Sequence, residues 1–377
     1  MPRAAFVYTD DYADYHLSDT HPLQQKRLLM THRLLDAQGA FLSPDSHLIK
    51  PVAATEFELR RVHSPEYLNA LRRLSSGENL PNKKDFGFGS LDNPPFPGMW
   101  EATLLYAGAT LDCTQRVRYE GFDAAFNVSG GLHHARRDRA AGFCTVADVA
   151  LAAYYLLDSG VERIACVDID AHHGDGTQVF FYDDPRVLTL SVHETPETLY
   201  PRVTGFAEEI GEGAGIGFNA NLPLAPGSGD TVYAEAFSAV FLPLLTAFDP
   251  EYILLQVGAD AHFADPLTHL GMTSRGWLSL AQSVISLGKP VIALGGGGYN
   301  LETVARLWTL LYGALSGQMF SDTLHDMSGP SDADRNAMFQ GIYVKRRGTT
   351  RGDSIEEYAR RSVEIVRQRV FPVHGLT

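Results

Sequence analysis

The sequence predicts an α/β fold: a single doubly wound, mainly parallel sheet with helices on both faces. Three observations predict it. Short apolar runs alternate with longer segments of helical periodicity. The apolar runs are continuous rather than alternating, as in strands buried on both faces. No Pro/Ser-rich linker, internal repeat or low-complexity tract divides the 377 residues. The expectation is therefore one domain over 1–377, with a motif-bearing core of about 4–315 and an extension of about 316–377.

The elements follow in order. "AAFVY" (4–8) reads as the first strand. "LQQKRLLMTHRLLDAQG" reads as a helix stopped by Gly39. "SPEYLNALRRLS" starts a second helix, with Ser64 as N-cap and Pro65 at the first helical position. Residues 76–98 are rich in Gly, Pro and Asn and form a long loop, of a length that usually carries function. "MWEATLLYAGATLDCTQRV" is helical. "AAFNV" (124–128) is a strand that runs into "SGGLHHARRDRAAGF". "VADVALAAYYLLDSG" is a helix ended by Gly160. "RIACVDID" and "RVLTLSVH" are strands, followed by a polar, Gly-rich loop over roughly 194–217. The rest alternates: "TVYAEAFSAVFLPLLTAF" a helix, "YILLQVGAD" a strand, "RGWLSLAQSVISLG" a helix, "PVIALGGGGYN" a strand and turn, "LETVARLWTLLYGALSG" a helix.

Composition excludes several classes. Lys and Arg number 31 against 45 Asp and Glu, a net charge of −14. A nucleic-acid footprint needs clustered basic residues, so no nucleic-acid partner is expected. An anionic membrane surface is disfavoured for the same reason. The charge suits plain solubility, and it would also steer a lysine-rich ligand. Cys113, Cys144 and Cys166 form no CxxC, and a sparse, odd count fits a reducing compartment. The first residues lack the apolar stretch of a signal peptide. No apolar run of roughly 18 residues is seen. The expectation is a cytoplasmic protein without a membrane span.

The polar residues gather where strands end. "AAFNV" leads to His133 and His134, and "RIACVDID" to Asp168, Asp170, His172, His173 and Asp175. "YILLQVGAD" ends at Asp260, and "PVIALGGGGYN" at Tyr299. Open α/β sheets bind ligands outside the carboxyl ends of their strands. In extended backbone residues i and i+2 share a side, so Asp170 and His172 can hold one metal from one strand end. Asp260 would be the third ligand. Two carboxylates and an imidazole with an open position suit a catalytic zinc or iron(II) site. A solvated polar loop is the bland reading of D-x-H alone. Asp168 and Asp175 are then free to orient two histidines. Tyr299, behind the glycines of 295–298, could polarise a carbonyl opposite the metal. His173 has no assigned role.

These residues resemble the zinc-dependent histone deacetylase family, which has the arginase-like α/β fold, and most resemble its bacterial acetoin-utilisation deacetylases. The resemblance rests on "HPLQQKR", "LDNPPFPGMWEA", "SGGLHHA", "GFC", "VDIDAHHGDGTQ", "LSVHE", "GADAH", a following "DP", and "GGGGYN", in order from about 21 to 300. It implies Asp170, His172 and Asp260 as zinc ligands. It implies His133 and His134 as tandem catalytic histidines, paired with Asp168 and Asp175 respectively, and Tyr299 as the hydrogen-bond donor to the scissile carbonyl. Gly142, Phe143, Tyr200 and Leu267 match the walls of an acyl-lysine tunnel, and Asp92 the rim aspartate that holds the substrate backbone. Tyr200 departs from the family, where an aromatic without a hydroxyl is usual. A potassium ion is implied through Asp168, Asp170, His172, Ser191 and Val192, largely by backbone carbonyls. The implied partner is an acetyl-lysine protein or peptide.

Other chemistries are set against this reading. A two-manganese ureohydrolase needs a D-x-D pair, but Gly258 and His262 flank Asp260 at that spacing, and Asp265 is further on. An acetylpolyamine amidohydrolase would differ in substrate only. A non-catalytic reader of acetyl-lysine would be expected to lose a ligand or Tyr299, and none is lost.

Overall fold

The computed structural model describes residues 1–320 and 353–377. Eight parallel strands form one sheet in the order β2-β1-β3-β8-β7-β4-β5-β6. They are β1 (Ala4–Val7), β2 (Ser46–Ile49), β3 (Ala124–Asn127), β4 (Ile164–Asp168), β5 (Val187–Glu194), β6 (Asn219–Leu224), β7 (Tyr252–Gln256) and β8 (Val291–Leu294). The helices are α1 (Lys26–Ala37), α2 (Glu56–Leu59), α3 (Pro65–Ser75), α4 (Met99–Tyr119), α5 (Asp148–Asp158), α6 (Asp175–Phe181), α7 (Asp230–Phe248), α8 (Ser274–Ile285), α9 (Leu301–Ser316) and α10 (Ile355–Arg369). The all-parallel sheet is the predicted fold class.

β3 shows why both faces are covered. Phe126 packs edge-on to Trp308 of α9, with centroids 6.1 Å apart. The next residue points the other way: Asn127 Nδ2 donates to Thr110 Oγ1 of α4 at 2.8 Å. Every residue of β1, β3, β4, β5, β6 and β8 is buried. That is the physical origin of the continuous apolar runs.

Two strands escaped the sequence reading, and both are edges. β2 is only half buried, so "SHLI" carries no apolar run. β6, "NANLPL", contains two asparagines and a proline, which an edge strand tolerates. α10 packs on that edge: Ser362 Oγ donates to the Pro223 carbonyl at 2.9 Å. The anticipated extension of 316–377 lies partly outside the described residues, and α10 is its described part. Residues 76–98 contain no helix or strand, as anticipated.

α7, with 19 residues, is long and apolar enough by length and composition to cross a membrane. Half of that window is buried in the fold. Phe237, Val240, Phe241, Leu244 and Leu245 all face the core, so tertiary packing accounts for its apolarity.

Candidate active site

Four neighbouring strands, β3, β8, β7 and β4, deliver the reactive residues to one rim. β4 ends at Asp168, so Asp170 and His172 lie beyond it. This corrects the expectation that strand alternation aligns them. A turn brings them together instead: the Asp170 carboxylate accepts from the His172 backbone N at 2.9 Å. His172 Nδ1 lies 3.2 Å from Asp170 Oδ1 and 2.9 Å from Asp260 Oδ2. One ligand atom from each of the three residues lies within 4.8 Å of the others, and all three residues are buried. Two carboxylates facing an imidazole at this separation suit a divalent cation.

The surroundings hold these carboxylates in place. Asp170 Oδ2 accepts from Gln256 Nε2 at 2.9 Å and from Gly297 N at 2.8 Å. Asp260 Oδ1 accepts from Ala171 N at 2.8 Å. A Cβ at Gly297 would stand 2.2 Å from Asp260 Oδ2, so only glycine fits where the β8 turn crosses the triad. Arg27 is buried and donates to the Gly296 and Gly298 carbonyls at 2.8 and 3.1 Å, pinning that turn.

The two histidines are adjacent, with their Nε2 atoms 3.1 Å apart. His133 Nδ1 is 2.7 Å from Asp168 Oδ2, and His134 Nδ1 is 2.7 Å from Asp175 Oδ1. Each therefore has its own carboxylate, in the pairing the sequence suggested. Arg136 donates to the other oxygen of Asp175 at 2.5 Å. Burial and the neighbouring His133 lower the His134 pKa to about 4, against the pull of Asp175. Burial also disfavours charge on His133, but Asp168 and Asp170 outweigh it and hold His133 at about 9. A cation on Asp170 would cancel part of that pull.

The residues that the resemblance assigned to the acyl-lysine walls lie as follows. Tyr200 is edge-on to His134 with centroids 4.9 Å apart, and Phe143 is edge-on to Tyr299 at 5.8 Å. Phe143 has φ 69°, a conformation that strains a non-glycine residue and so indicates a position fixed by its surroundings. Gly142 lies flat against His134; a Cβ there would meet its ring at 2.3 Å. Leu267 is exposed to 36%. Asp92 is exposed in the long loop, and His21 Nε2 donates to its carbonyl at 3.3 Å. His21 in turn packs edge-on against Phe143, centroids 4.5 Å apart. Burial, then Asp260, Asp170 and Asp265, push the Tyr299 pKa well up, so its hydroxyl stays a donor.

Below the rim, Asp168 and Ser191 are register partners on β4 and β5. Both line a small cavity of about 20 Å³, together with Gln178, Asn219 and Asn221. Asp170, His172 and Val192 do not line it. His173, unassigned from sequence, turns into this polar layer, with Nε2 3.0 Å from Gln178 Oε1. Burial lowers its pKa to about 4, which makes it a neutral core histidine.

Sequence reasoning missed several residues. Asp148 is completely buried and accepts from Leu132 N at 2.7 Å and Gly131 N at 3.0 Å, shaping the turn before His133. Asp265 accepts from Tyr299 N at 2.8 Å and Leu267 N at 2.9 Å. Each had a visible signal. Asp148 opens an otherwise apolar helix, Gln256 ends an apolar strand, and Arg27 interrupts an apolar helix face.

Fold and site together define a protein of the arginase/deacetylase class. A histone deacetylase domain profile matches residues 21–315. The acetoin utilization protein AcuC of Bacillus subtilis is 38% identical over 325 residues, covering 84% of this chain and 83% of its own. Histone deacetylase clr6 of Schizosaccharomyces pombe is 34% identical over 325 residues, covering 85% and 79% respectively. The crystal structure of an HDAC homolog complexed with SAHA superimposes with a TM-score of 0.83 at 31% identity, over 97% of this chain and 99% of that one. The HDAC homolog from Aquifex aeolicus gives 0.83 at 30% identity, with the same coverage. The chain belongs to the histone deacetylase family.

Proposed function

We propose that the chain is a metal-dependent lysine deacetylase, hydrolysing the acetyl amide of acetyl-lysine in proteins to acetate and free lysine. The observation that carries this reading is one buried cluster: three ligand atoms within 4.8 Å, beside two histidines each paired at 2.7 Å with its own carboxylate. Asp170, His172 and Asp260 would hold zinc or iron(II). A divalent metal held there supplies Lewis acidity, polarising an amide carbonyl and acidifying a water.

The chain's own groups do the rest. Asp175 fixes the tautomer of His134 with Nε2 as the basic nitrogen, the one that accepts a proton from water. His133, held charged by Asp168, donates a proton to the departing lysine amine. Tyr299 donates to the oxygen that becomes negative as water adds. Phe143, Tyr200, Gly142 and Leu267 enclose the lysine methylenes, and Asp92 takes the substrate backbone at the rim. Asp168 and Ser191, register partners on β4 and β5, are the most suitable potassium partners. Asp170, His172 and Val192 would contribute to that ion through carbonyls. In this reading 1–377 works as one cytoplasmic domain, and the net charge of −14 draws in lysine-rich substrates.

The test is a side-by-side assay of the metal-loaded protein on an acetyl-lysine peptide and on an acetylated polyamine. Higher kcat/KM on the peptide is expected. Preference for the polyamine would move the substrate to small acyl-amines.

A further inference from the structure

Glu194 ends β5 and is 1% exposed. A buried carboxylate is costly unless donors surround it. Three donors from two separate segments do so. Thr198 Oγ1 donates to Oε1 at 2.8 Å. His269 donates twice, with Nδ1 2.9 Å from Oε1 and the backbone N 2.8 Å from Oε2. Thr198 lies two residues before Tyr200, and His269 two residues after Leu267. The two tunnel walls thus share one acceptor.

The same residue is indexed to the triad. The Glu194 backbone N donates to the Ala171 carbonyl at 2.9 Å, between Asp170 and His172. The Leu267 segment has a second anchor, since Thr268 Oγ1 donates to the Asp260 carbonyl at 2.5 Å. The Tyr200 segment is also held from outside: Thr195 Oγ1 and Tyr358 Oη of α10 are 2.7 Å apart. α10 lies beyond the segment matched by the family profile, 21–315.

We infer that Glu194 is a positioning residue of the acyl-lysine tunnel, its buried carboxylate tying the Tyr200 wall and the Leu267 wall to the strand end beside the metal ligands. A carboxylate suits this task because both its oxygens only accept, so donors from two loops converge on it without competition. Loosening it would let the walls part while the triad, His133 and His134 keep their own supports. The inference rests on the proposed deacetylase reading for what the tunnel holds; the tie itself does not.

The test uses the full, metal-loaded chain as wild type, Glu194→Gln and Thr198→Val. Glutamine turns a donor toward one of the His269 N–H groups and so loosens the Leu267 wall, while the Thr198 hydroxyl, which both donates and accepts, keeps an amide partner. Valine removes only the Thr198 bond. Hydrogen exchange is followed over 195–203 and 264–271. Faster exchange in 264–271 for Glu194→Gln, and in 195–203 for Thr198→Val, is expected. On an acetyl-lysine peptide, Glu194→Gln should raise KM about tenfold and leave kcat within about threefold, as for loss of one charge-assisted bond. Metal content should be unchanged, and the ratio of butyryl to acetyl turnover should rise. Exchange unchanged in the segment named for either variant, or kcat falling with KM constant, would overturn the inference. A wild-type protein inactive on acyl-lysine peptides would instead remove the deacetylase reading, while the exchange data would still judge the tie. If Glu194→Gln does not fold, Thr198→Val decides: its exchange must rise in 195–203 and its KM must increase.

Discussion

Tyr299→Phe isolates one hydroxyl. The phenyl ring keeps its edge-on contacts with Phe143 at 5.8 Å and His172 at 6.4 Å. The bond from Tyr299 N to Asp265 at 2.8 Å is backbone and survives. Arg27 holds the preceding glycine carbonyls, again independently of the phenol. In the proposed mechanism the loss is therefore confined to one donor to the developing oxyanion. Removing one such donor costs about 3–4 kcal/mol, or roughly 10²–10³ in kcat. KM should change less than about threefold, because the ground-state carbonyl needs this donor far less than the oxyanion does. Steady-state acetate release from an acetyl-lysine peptide measures both constants, and a melting curve confirms that the fold is intact. A fall in kcat of less than about tenfold, or equal losses in kcat and peptide binding, would refute the oxyanion role.

Two further predictions use other readouts. Asp260→Ala removes one of three metal ligands and should abolish metal retention; full metal content by elemental analysis after gel filtration would sink that assignment. His63 is completely buried, accepts from Ala147 N at 3.0 Å and has its pKa lowered by burial to about 4. A folded-state pKa below the unfolded value of about 6.5 gives stability that is present above 6.5 and lost as pH falls toward 4, about 3 kcal/mol in all. Urea unfolding of wild type and His63→Gln across this window should show the wild type losing stability more steeply; parallel curves would contradict it.

Much of the fold was legible because central parallel strands are buried on both faces. "AAFNV", "RIACVDID" and "PVIALGGGGYN" announce themselves by apolarity alone. β2 was not legible because it is only half buried, and β6 because its buried Asn219 and Asn221 donate to Gln178 instead of packing as an apolar run. α7 is apolar for a related reason: Phe237, Val240, Phe241, Leu244 and Leu245 are buried in the fold. In the site, the residue types at the strand ends were readable from sequence. Asp148, Gln256 and Asp265 were not assigned, because their partners are backbone groups or carboxylates far along the chain.

By itself the sequence determined the parallel α/β architecture, the rim at which the site lies, and the set of Asp, His and Tyr residues gathered there. These follow from local patterning: apolar runs specify strands, and costly polar residues at strand ends specify a common edge. Only the tertiary structure decided how those residues divide. It showed that a turn, rather than strand alternation, aligns Asp170 with His172. It placed His173 among buried polar side chains, and joined two distant loops on Glu194. Hydrogen-bond partners separated by tens of residues leave no periodic trace in a sequence; they exist only once the sheet has brought the strand ends together.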